Sequence, residues 1–341
     1  PPADAADRDD DGGVTGMISA NPRTRVDLVI VGAGPVGLYG AYYAGARGLS
    51  TIVVDSLSQI GGQITAMYPE KLIFDVAGFP AIKGRDLVAG LQAQAAGHDV
   101  EYLLGREVQG CVTHADGRHT ITTSVGEEID CGAVVVTGGI GTFTPRKLPA
   151  GEDFLGRGLE YFVPDAEPYR GADVVIVGGG DSALDWASML EPIAGSVTLV
   201  HRRSAFRAHQ ATVDQVMASS VEIVTDAEVT ALTGDTELRA AHITHKADGA
   251  GREVRCQRVV AALGFLANLG PLRDWELELH DNRHIVVDSA MRTARPGIYA
   301  AGDITDYPGK VRLISVGFGE VATAVNNAAV HLDPDAQLFP G

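Results

Sequence analysis

Two glycine-rich fingerprints, each directly after a short apolar run, constrain this chain more than any other feature. The first occupies residues 32–37 after the apolar residues 26–31, and the second occupies residues 178–183 after residues 174–177. A strand, the pattern G-x-G-x-x-G/A and a helix form the dinucleotide-binding turn, in which the glycines allow a tight turn, close approach of the pyrophosphate and close helix packing. Two such turns predict two dinucleotide sites and suggest electron transfer between the bound dinucleotides.

The charged residues after each fingerprint distinguish the two sites. Asp55 follows the apolar strand 51–54, where a carboxylate accepts hydrogen bonds from both ribose hydroxyls and repels a 2′-phosphate. Arg202, Arg203 and Arg207 follow the strand 197–200, and guanidinium groups pair bidentately with phosphate. The first site is therefore interpreted as an FAD site and the second as an NADPH site. The alternatives are a surface or helix-capping carboxylate at Asp55 and a solvated loop at the arginines.

The order of apolar runs predicts an α/β protein in which the same plan occurs twice. We expect two Rossmann-like three-layer dinucleotide-binding domains, the second inserted into the first, each with a small antiparallel meander. In the first copy the predicted elements are a strand at 26–31, a helix at 35–48, a strand at 51–54 and a meander at 107–113, 119–124 and 128–137. In the second they are a strand from 173, a helix from 182, a strand at 197–200 and a meander at 221–229, 240–245 and 254–262. A strand at 298–303 and a helix at 318–332 complete the first domain.

Domain boundaries follow from this plan. Residues 1–22 are interpreted as a disordered acidic leader, residues 23–139 and 295–341 as the FAD-binding domain, and residues 145–290 as the NADPH-binding domain. The segments 138–144 and 291–297 are rich in glycine, proline and threonine, which suits a two-stranded hinge between the domains.

Charge and cysteine content exclude several classes of function. The net charge of −17 argues against binding to nucleic acid or to anionic membranes, and no apolar run approaches the ~18 residues of a membrane span. Three cysteines lie far apart, form no C-x-x-C pair and share no metal-ligand spacing with histidines. We therefore expect a cytoplasmic protein without a metal centre or a membrane segment.

From about residue 26 to its end, the chain resembles the thioredoxin reductase-like ferredoxin–NADP⁺ reductases. The motifs that carry this resemblance occur in the same order along the chain, at residues 61–63, 68–71, 75–80, 178–186, 201–203, 206–209, 298–303, 317–320 and 325–326. The resemblance implies FAD and NADP(H) as cofactors, ferredoxin or flavodoxin as partner, and a homodimer. It also implies hydride transfer between the nicotinamide and FAD N5, and single electrons passing between FAD and an iron–sulfur protein.

One contrast separates the chain from thioredoxin reductases themselves. Those enzymes carry a C-x-x-C pair shortly before the second fingerprint, where this chain has Phe162 and Asp165. Without a dithiol, electrons from the flavin cannot pass through a disulfide relay. Direct transfer to an acceptor is therefore expected.

Motif positions assign residues to the two cofactors. The predicted FAD contacts are Gly32, Gly34, Pro35, Gly37, Asp55, Gln63, Tyr68, Val108, Phe143 and Asp303. The predicted NADP(H) contacts are Gly178, Gly180, Asp181, Ser182, Arg202, Arg203 and Arg207. Tyr68 would stack on the flavin and Asp303 would bind the ribityl chain, the alternatives being a core aromatic and a plain helix cap. No acid–base residue is assigned, because the flavin carries out the chemistry.

Three basic residues near the flavin segments are candidates for partner docking. Lys71, Lys310 and Arg312 could form a positive rim that steers an acidic ferredoxin, although 44 acidic residues outnumber 27 basic ones overall. The alternative is that they are solvated or paired with nearby carboxylates. Two other functions remain open at this point: an NADPH-dependent flavoprotein reductase of a disulfide protein or small molecule, and a non-enzymatic NADPH-sensing flavoprotein.

Overall fold

Two sheets built around parallel strands organise the chain, and the computed structural model describes residues 24–141, 144–266 and 268–340. The predicted leader 1–22 lies outside the described residues. The first part of the chain contains β1 Arg25–Val31, α1 Pro35–Ala46, β2 Thr51–Asp55, α2 Gln63–Met67, β3 Leu72–Ile73, β4 Ile82–Lys83, α3 Gly84–Ala95, β5 Val100–Leu104, β6 Val108–Thr113, β7 His119–Thr123 and β8 Glu128–Val136.

The second and third parts of the chain complete the set of elements. The second part contains β9 Thr144–Pro145, β10 Leu159–Glu160, β11 Asp173–Gly178, α4 Asp181–Leu190, β12 Ser196–Val200, α5 Gln210–Met217, β13 Glu222–Val224, β14 Ala227–Gly234, β15 Leu238–His245, β16 Gly251–Arg255, β17 Arg258–Ala262 and β18 Phe265–Leu266. The third contains β19 Leu279–His280, β20 His284–Val286, β21 Ile298–Ala300, β22 Thr305–Asp306 and α6 Ile314–Leu332.

The first domain is built on a seven-stranded sheet with the order β5-β2-β1-β8-β7-β6, to which β21 is added beside β8. Strands β1, β2, β5, β8 and β21 are parallel, and β8 also pairs antiparallel with β7. The central strands are rich in valine and isoleucine and are buried on both faces, as expected for covered parallel strands. Because β1, β2 and β8 end at one edge of the sheet, the loops after them form one site.

The second domain repeats this plan with a five-stranded parallel sheet in the order β10-β17-β11-β12-β13. Its meander, β14-β15-β16, is a separate antiparallel sheet, whereas the meander of the first domain continues the main sheet. Strands β9 and β18 pair antiparallel where the chain enters and leaves this domain. The predicted fold class, with the second domain inserted into the first, is confirmed.

Several predicted element boundaries are wrong, each for a local reason. The predicted strand 221–229 is two strands in different sheets, because Asp226 adopts a left-handed conformation with φ 51° between β13 and β14. The predicted strand 254–262 likewise divides into β16 and β17. Helix α1 ends at Ala46, two residues before the predicted end, and α6 begins four residues before its predicted start at 318. The edge strand β5 was not predicted.

The predicted boundary at residue 290 also needs correction. Leu269, Leu272, Trp275 and Ile285 belong to the hydrophobic core of the first domain, and Trp275 Nε1 donates a hydrogen bond to Gln109 O of β6 at 3.4 Å. The segment 268–290 is therefore part of the first domain. The chain returns to the first domain after β18 rather than at the predicted joint 291–297, which leads directly into β21 of the first-domain sheet.

Candidate functional site

The turn after β1 has the three glycine roles that the first fingerprint predicts. Gly32 has φ +114°, and a Cβ there would lie 2.7 Å from Thr137 O. A Cβ on Gly37 would lie 1.8 Å from Gly32 O, so this glycine lets α1 pack against the turn. A Cβ on Gly34 would meet no protein atom within 4 Å. The turn is therefore tight on its protein side and open at Gly34, which leaves room for a pyrophosphate.

A pocket at this edge of the sheet brings most of the predicted FAD contacts together. The predicted residues that line it are Gly32, Gly34, Pro35, Asp55, Gln63, Tyr68, Val108 and Asp303. Gly37 lies behind the turn, and Phe143 lies outside the described residues. Further lining comes from residues that the sequence did not indicate, including Leu57, Arg106, Leu269 and Leu272. These positions lie on separate loops that only the folded sheet brings together, and they carry no local motif.

Asp55 is held by the backbone of two neighbouring loops. Its Oδ2 accepts a hydrogen bond from Ala33 N at 2.6 Å, and its Oδ1 accepts one from Leu57 N at 2.7 Å. Burial raises the pKa of the carboxyl group, and these two hydrogen bonds oppose that effect. The carboxylate is thus fixed beside the glycine turn at the end of β2, where an adenosine ribose would lie.

Tyr68 and Asp303 line the same pocket and interact electrostatically. Burial raises the pKa of Tyr68 to about 12, and the negative charges of Asp303 and Asp75 add to the effect. Burial also raises the pKa of Asp303, while Lys310 and Arg312 lower it. An aromatic ring and a second carboxylate in this pocket fit the isoalloxazine ring and the polyol chain of FAD, respectively.

Lys310 does not form the exposed docking rim that was expected. Its side chain is 2% exposed, and its Nζ makes an ion pair with Glu320, which is 5% exposed. Glu320 also binds the Gly302–Asp303 turn, so Lys310 belongs to the support of the pocket rather than to its outer surface. Glu320 was missed because its contacts with Gly302 and Lys310 join residues on different elements.

The second fingerprint forms a second pocket between β11, β12 and β17. Every predicted NADP(H) contact lines it, namely Gly178, Gly180, Asp181, Ser182, Arg202, Arg203 and Arg207. A Cβ on Gly178 would lie 2.4 Å from Ala262 O, whereas one on Gly180 would meet only Arg207 O, at 3.7 Å. The cradle is therefore open at the second glycine, as in the first pocket.

Basic side chains surround this second pocket. Arg202, Arg203 and Arg207 are exposed, and no carboxylate pairs with their guanidinium groups among the described residues. Arg146 and Lys147, which follow β9, line the pocket as well and were not predicted. Free guanidinium groups at the end of the second strand suit a 2′-phosphate, whereas Asp55 stands at the equivalent place in the first pocket.

The loop that carries these arginines is fixed to the fingerprint. Arg207 N donates to Gly179 O at 2.7 Å, and His209 N donates to Asp181 Oδ1 at 2.9 Å. The His201 ring is buried and stacks on Phe206 with a centroid distance of 5.3 Å. Burial lowers the pKa of His201, which favours a neutral ring under the loop.

An ion pair joins the two domains next to the first pocket. Lys71 Nζ contacts Asp185 of α4 and lies 5.6 Å from the centroid of the Tyr68 ring. Arg312 NH2 lies 3.3 Å from Asp306 Oδ1 and keeps 37% of its side chain exposed. No described residue lines both pockets. The two dinucleotide sites are therefore separate in this arrangement of the domains.

The position expected for a dithiol is occupied by other side chains. The Phe162 ring stacks on Phe265 with a centroid distance of 6.2 Å, and Asp165 Oδ1 accepts a hydrogen bond from Glu167 N. The three cysteines, all within the described residues, are unpaired, and burial raises the pKa of each thiol. In the described part of the chain no helix is long and apolar enough to span a bilayer.

Comparison with known proteins agrees with this geometry. The family model described as pyridine nucleotide-disulphide oxidoreductase matches residues 26–328. The chain belongs to this family. Among its relatives, ferredoxin–NADP reductase of Salinispora arenicola is 61% identical, over 93% of this chain and 97% of that protein. Ferredoxin–NADP reductase of Halalkalibacterium halodurans is 46% identical, over 92% and 96% respectively. The resemblance predicted from the sequence is confirmed.

Solved structures show the same fold. Thioredoxin reductase of T. acidophilum has a TM-score of 0.80 and 26% identity, over 92% of this chain and 100% of that one. Thioredoxin reductase of Lactococcus lactis has a TM-score of 0.78 and 25% identity, over 90% and 99%. The family member described here therefore shares its architecture with thioredoxin reductases, while relatives with much higher identity are named ferredoxin–NADP reductase.

Proposed function

We propose that this family member is a ferredoxin–NADP⁺ reductase, which binds FAD in the first pocket and NADP(H) in the second. When bound, FAD would supply the chemistry that links two-electron hydride transfer from the nicotinamide to single-electron transfer to the acceptor. The chain supplies the binding and orientation of both cofactors. The assignment agrees with the names of relatives that are 61% and 46% identical over almost their whole length.

The proposal rests on two observations together: the chain has two dinucleotide pockets, and it has no cysteines at the position of the thioredoxin reductase dithiol. Phe162 and Asp165 stand where a disulfide relay would need cysteines, and Phe162 is stacked on Phe265. A relay also needs a reactive thiolate, and burial raises the pKa of all three thiols in the chain. Electrons must then leave the flavin directly, which suits an iron–sulfur protein or a flavodoxin.

Different residues are proposed to bind different parts of the two cofactors. Asp55 accepts hydrogen bonds from the adenosine ribose of FAD and excludes a 2′-phosphate from the first pocket. Tyr68 covers one flavin face, and Asp303 accepts hydrogen bonds from the ribityl hydroxyls. Arg202 and Arg203 bind the 2′-phosphate of NADPH, and the N-terminus of α4 faces its pyrophosphate.

The proposed docking surface for the acceptor is smaller than the sequence indicated. Lys71 and Arg312 remain, because both side chains are more than a third exposed beside the flavin pocket. We expect Arg312→Glu to slow the reduction of an acidic ferredoxin and to weaken its dependence on ionic strength. Reduction of ferricyanide should be unchanged, since this small acceptor needs no docked complex. Lys246→Glu is a matched control on the meander of the second domain, and equal slowing in both variants would exclude Arg312 from docking.

The proposal extends to a homodimer in the cytoplasm. The homodimer rests on the family resemblance, and the unpaired thiols are typical of a reducing compartment. Sedimentation equilibrium of the FAD-loaded protein tests the first part of this statement.

A stopped-flow experiment tests the proposed activity. The anaerobic enzyme is reduced with NADPH and then mixed with oxidised ferredoxin, flavodoxin or thioredoxin. We expect rapid reoxidation of the flavin by ferredoxin or flavodoxin and none by thioredoxin beyond the buffer control. Rapid reoxidation by thioredoxin alone would contradict the proposal.

A further inference from the structure

A buried ion pair lies directly behind the turn that presents Asp303 to the first pocket. The side chains of Lys310 and Glu320 are 2% and 5% exposed. Removing two charges from water costs several kcal/mol per ion, which an ion pair offsets only with good geometry and further hydrogen bonds. The contacts of this ion pair show which part of the pocket it stabilises.

The two oxygens of Glu320 have different tasks. Oε2 accepts a hydrogen bond from Gly302 N at 2.7 Å. Oε1 accepts hydrogen bonds from Tyr307 OH at 2.6 Å and from Lys310 Nζ. One carboxylate therefore joins helix α6 to the turn before Asp303 and to the loop after it.

The turn itself is conformationally demanding. Gly302 has φ +84°, a region that favours glycine, and a Cβ there would lie 3.3 Å from Val36 Cγ2. Thr305 N and Oγ1 both donate to Gly302 O. The buried Gly302 N–H donates to Glu320 Oε2. Without that acceptor, a buried donor would be unsatisfied and the turn would lose its fixed orientation.

We propose that Glu320, together with Tyr307 and Lys310, is a positioning residue for FAD, which holds the Gly302–Asp303 turn so that the Asp303 carboxylate faces the cofactor. This inference rests on the proposed binding of FAD in the first pocket. It gives the buried Lys310 a role inside the molecule in place of the docking role expected from the sequence.

The charges of the pair also act on Asp303 itself. Burial raises the pKa of Asp303 most strongly, Lys310, Arg312 and His284 lower it, and Glu320 raises it. Tyr68, which lines the same pocket, also interacts electrostatically with this carboxylate. Removing the positive charge of Lys310 should therefore raise the pKa of Asp303, whereas removing the negative charge of Glu320 should lower it.

The test measures the dissociation constant of FAD for the full-length apoprotein as a function of pH. The variants are Glu320→Gln, Lys310→Met and Tyr307→Phe. Asn326→Ala is the matched control, because Asn326 is a buried polar residue of α6 that bonds Arg47 on the side away from the turn. Binding of NADP⁺ to each variant reports whether the second domain is intact.

We expect Glu320→Gln and Lys310→Met to weaken FAD binding about tenfold or more at neutral pH, and Tyr307→Phe less, with NADP⁺ binding unchanged. FAD affinity falls on acidification as Asp303 becomes protonated. The midpoint of that fall should move to higher pH in Lys310→Met and to lower pH in Glu320→Gln. Asn326→Ala should leave both quantities unchanged.

Four results would contradict either the inference or the proposed function. Equal FAD affinity in the wild type and the three variants, or equal weakening in Asn326→Ala, would overturn the inference while leaving the proposed function intact. If the charge variants do not fold, wild-type affinity in the folded Tyr307→Phe variant would overturn it as well. A wild-type protein that binds no FAD would instead overturn the proposed function itself.

Discussion

We infer that the charged side chains at the ends of equivalent strands determine which dinucleotide each pocket accepts. Asp55 ends β2 in the first domain, and Arg202 and Arg203 follow β12 in the second. A carboxylate repels a 2′-phosphate at the first position, and guanidinium groups attract one at the second. The two pockets share a backbone plan and differ in the charge at this one place.

Replacing Arg202 or Arg203 with alanine should therefore weaken the use of NADPH. Because hydrogen bonds to charged groups contribute about 1.5–3 kcal/mol, we expect kcat/KM for NADPH to fall roughly 10–100-fold for each replacement. The value for NADH should barely change. Arg170→Ala, at an exposed site of the same domain where Arg170 pairs with Glu167, is the control. A wild-type enzyme that uses NADH as well as NADPH would show that the phosphate assignment is wrong.

The sequence correctly predicted pocket residues that belong to local motifs. It did not predict the position of residues whose contacts lie on another helix or strand. All the described glycine, aspartate and arginine contacts of the two fingerprints line the pockets as predicted, apart from Gly37 behind the first turn. Lys310 was expected on the surface because its neighbours in sequence do not reveal Glu320, which reaches it from α6. Leu269 and Leu272 line the first pocket, although the sequence predicted that their segment belongs to the second domain. Contacts between residues far apart in sequence determine where these side chains lie, and the periodicity of the sequence does not reveal such contacts.

At the scale of elements, two glycines of the first turn have different roles: Gly37 allows the turn to fold, and Gly34 leaves room for a ligand. A Cβ on Gly37 would overlap the backbone of Gly32, whereas one on Gly34 would point into open space. The first replacement acts on the packing of α1 against β1, and the second acts only on what the turn can hold.

We therefore expect opposite consequences from two similar replacements. Gly34→Ala should fold with the thermal stability of the wild-type apoprotein but lose FAD, because its methyl group occupies the pyrophosphate cradle. Gly37→Ala should lower the stability of the apoprotein itself, by several kcal/mol as for other overpacked sites. Calorimetry of the apoproteins and FAD titration check both. Gly90→Ala in α3, where a Cβ meets nothing within 4 Å, is the control. A Gly34→Ala variant that still binds FAD tightly would contradict the assigned cradle.

Element prediction failed mainly where one apolar run serves two sheets. Residues 221–229 and 254–262 look continuous in sequence, yet each crosses between two sheets. The first passes from the parallel sheet to the meander at Asp226, and the second passes from the meander back to the parallel sheet between β16 and β17. The pattern of apolar residues predicts that strands are present, but it does not indicate to which sheet each strand belongs.

At the scale of the whole molecule, the two pockets belong to domains joined by two short strands, β9 and β18. The ion pair between Lys71 and Asp185 connects the domains beside Tyr68. No described residue lines both pockets. We therefore expect that the nicotinamide and the flavin need a different domain arrangement to meet. A partly exposed ion pair contributes only about 0–1 kcal/mol, so it biases that arrangement without preventing its change.

Fixing the observed arrangement should block hydride transfer. The variant Lys71→Cys/Asp185→Cys, joined by a short bismaleimide, should lose reduction of the flavin by NADPH and keep reduction by dithionite. The same variant without the reagent should be reduced by both, which controls for the substitutions. Undiminished reduction by NADPH after crosslinking would show that no domain rotation is required.

The most direct test of the account is the number of NADPH molecules that the anaerobic enzyme consumes. If FAD is the only redox group and electrons leave it without a thiol relay, titration followed at the flavin absorbance and at 340 nm should end at about one NADPH per FAD. An enzyme with an additional redox-active dithiol would take up about two. An end point near one, unchanged after treatment with a thiol-alkylating reagent, is the predicted result. An end point near two, reduced by that treatment, would contradict the account.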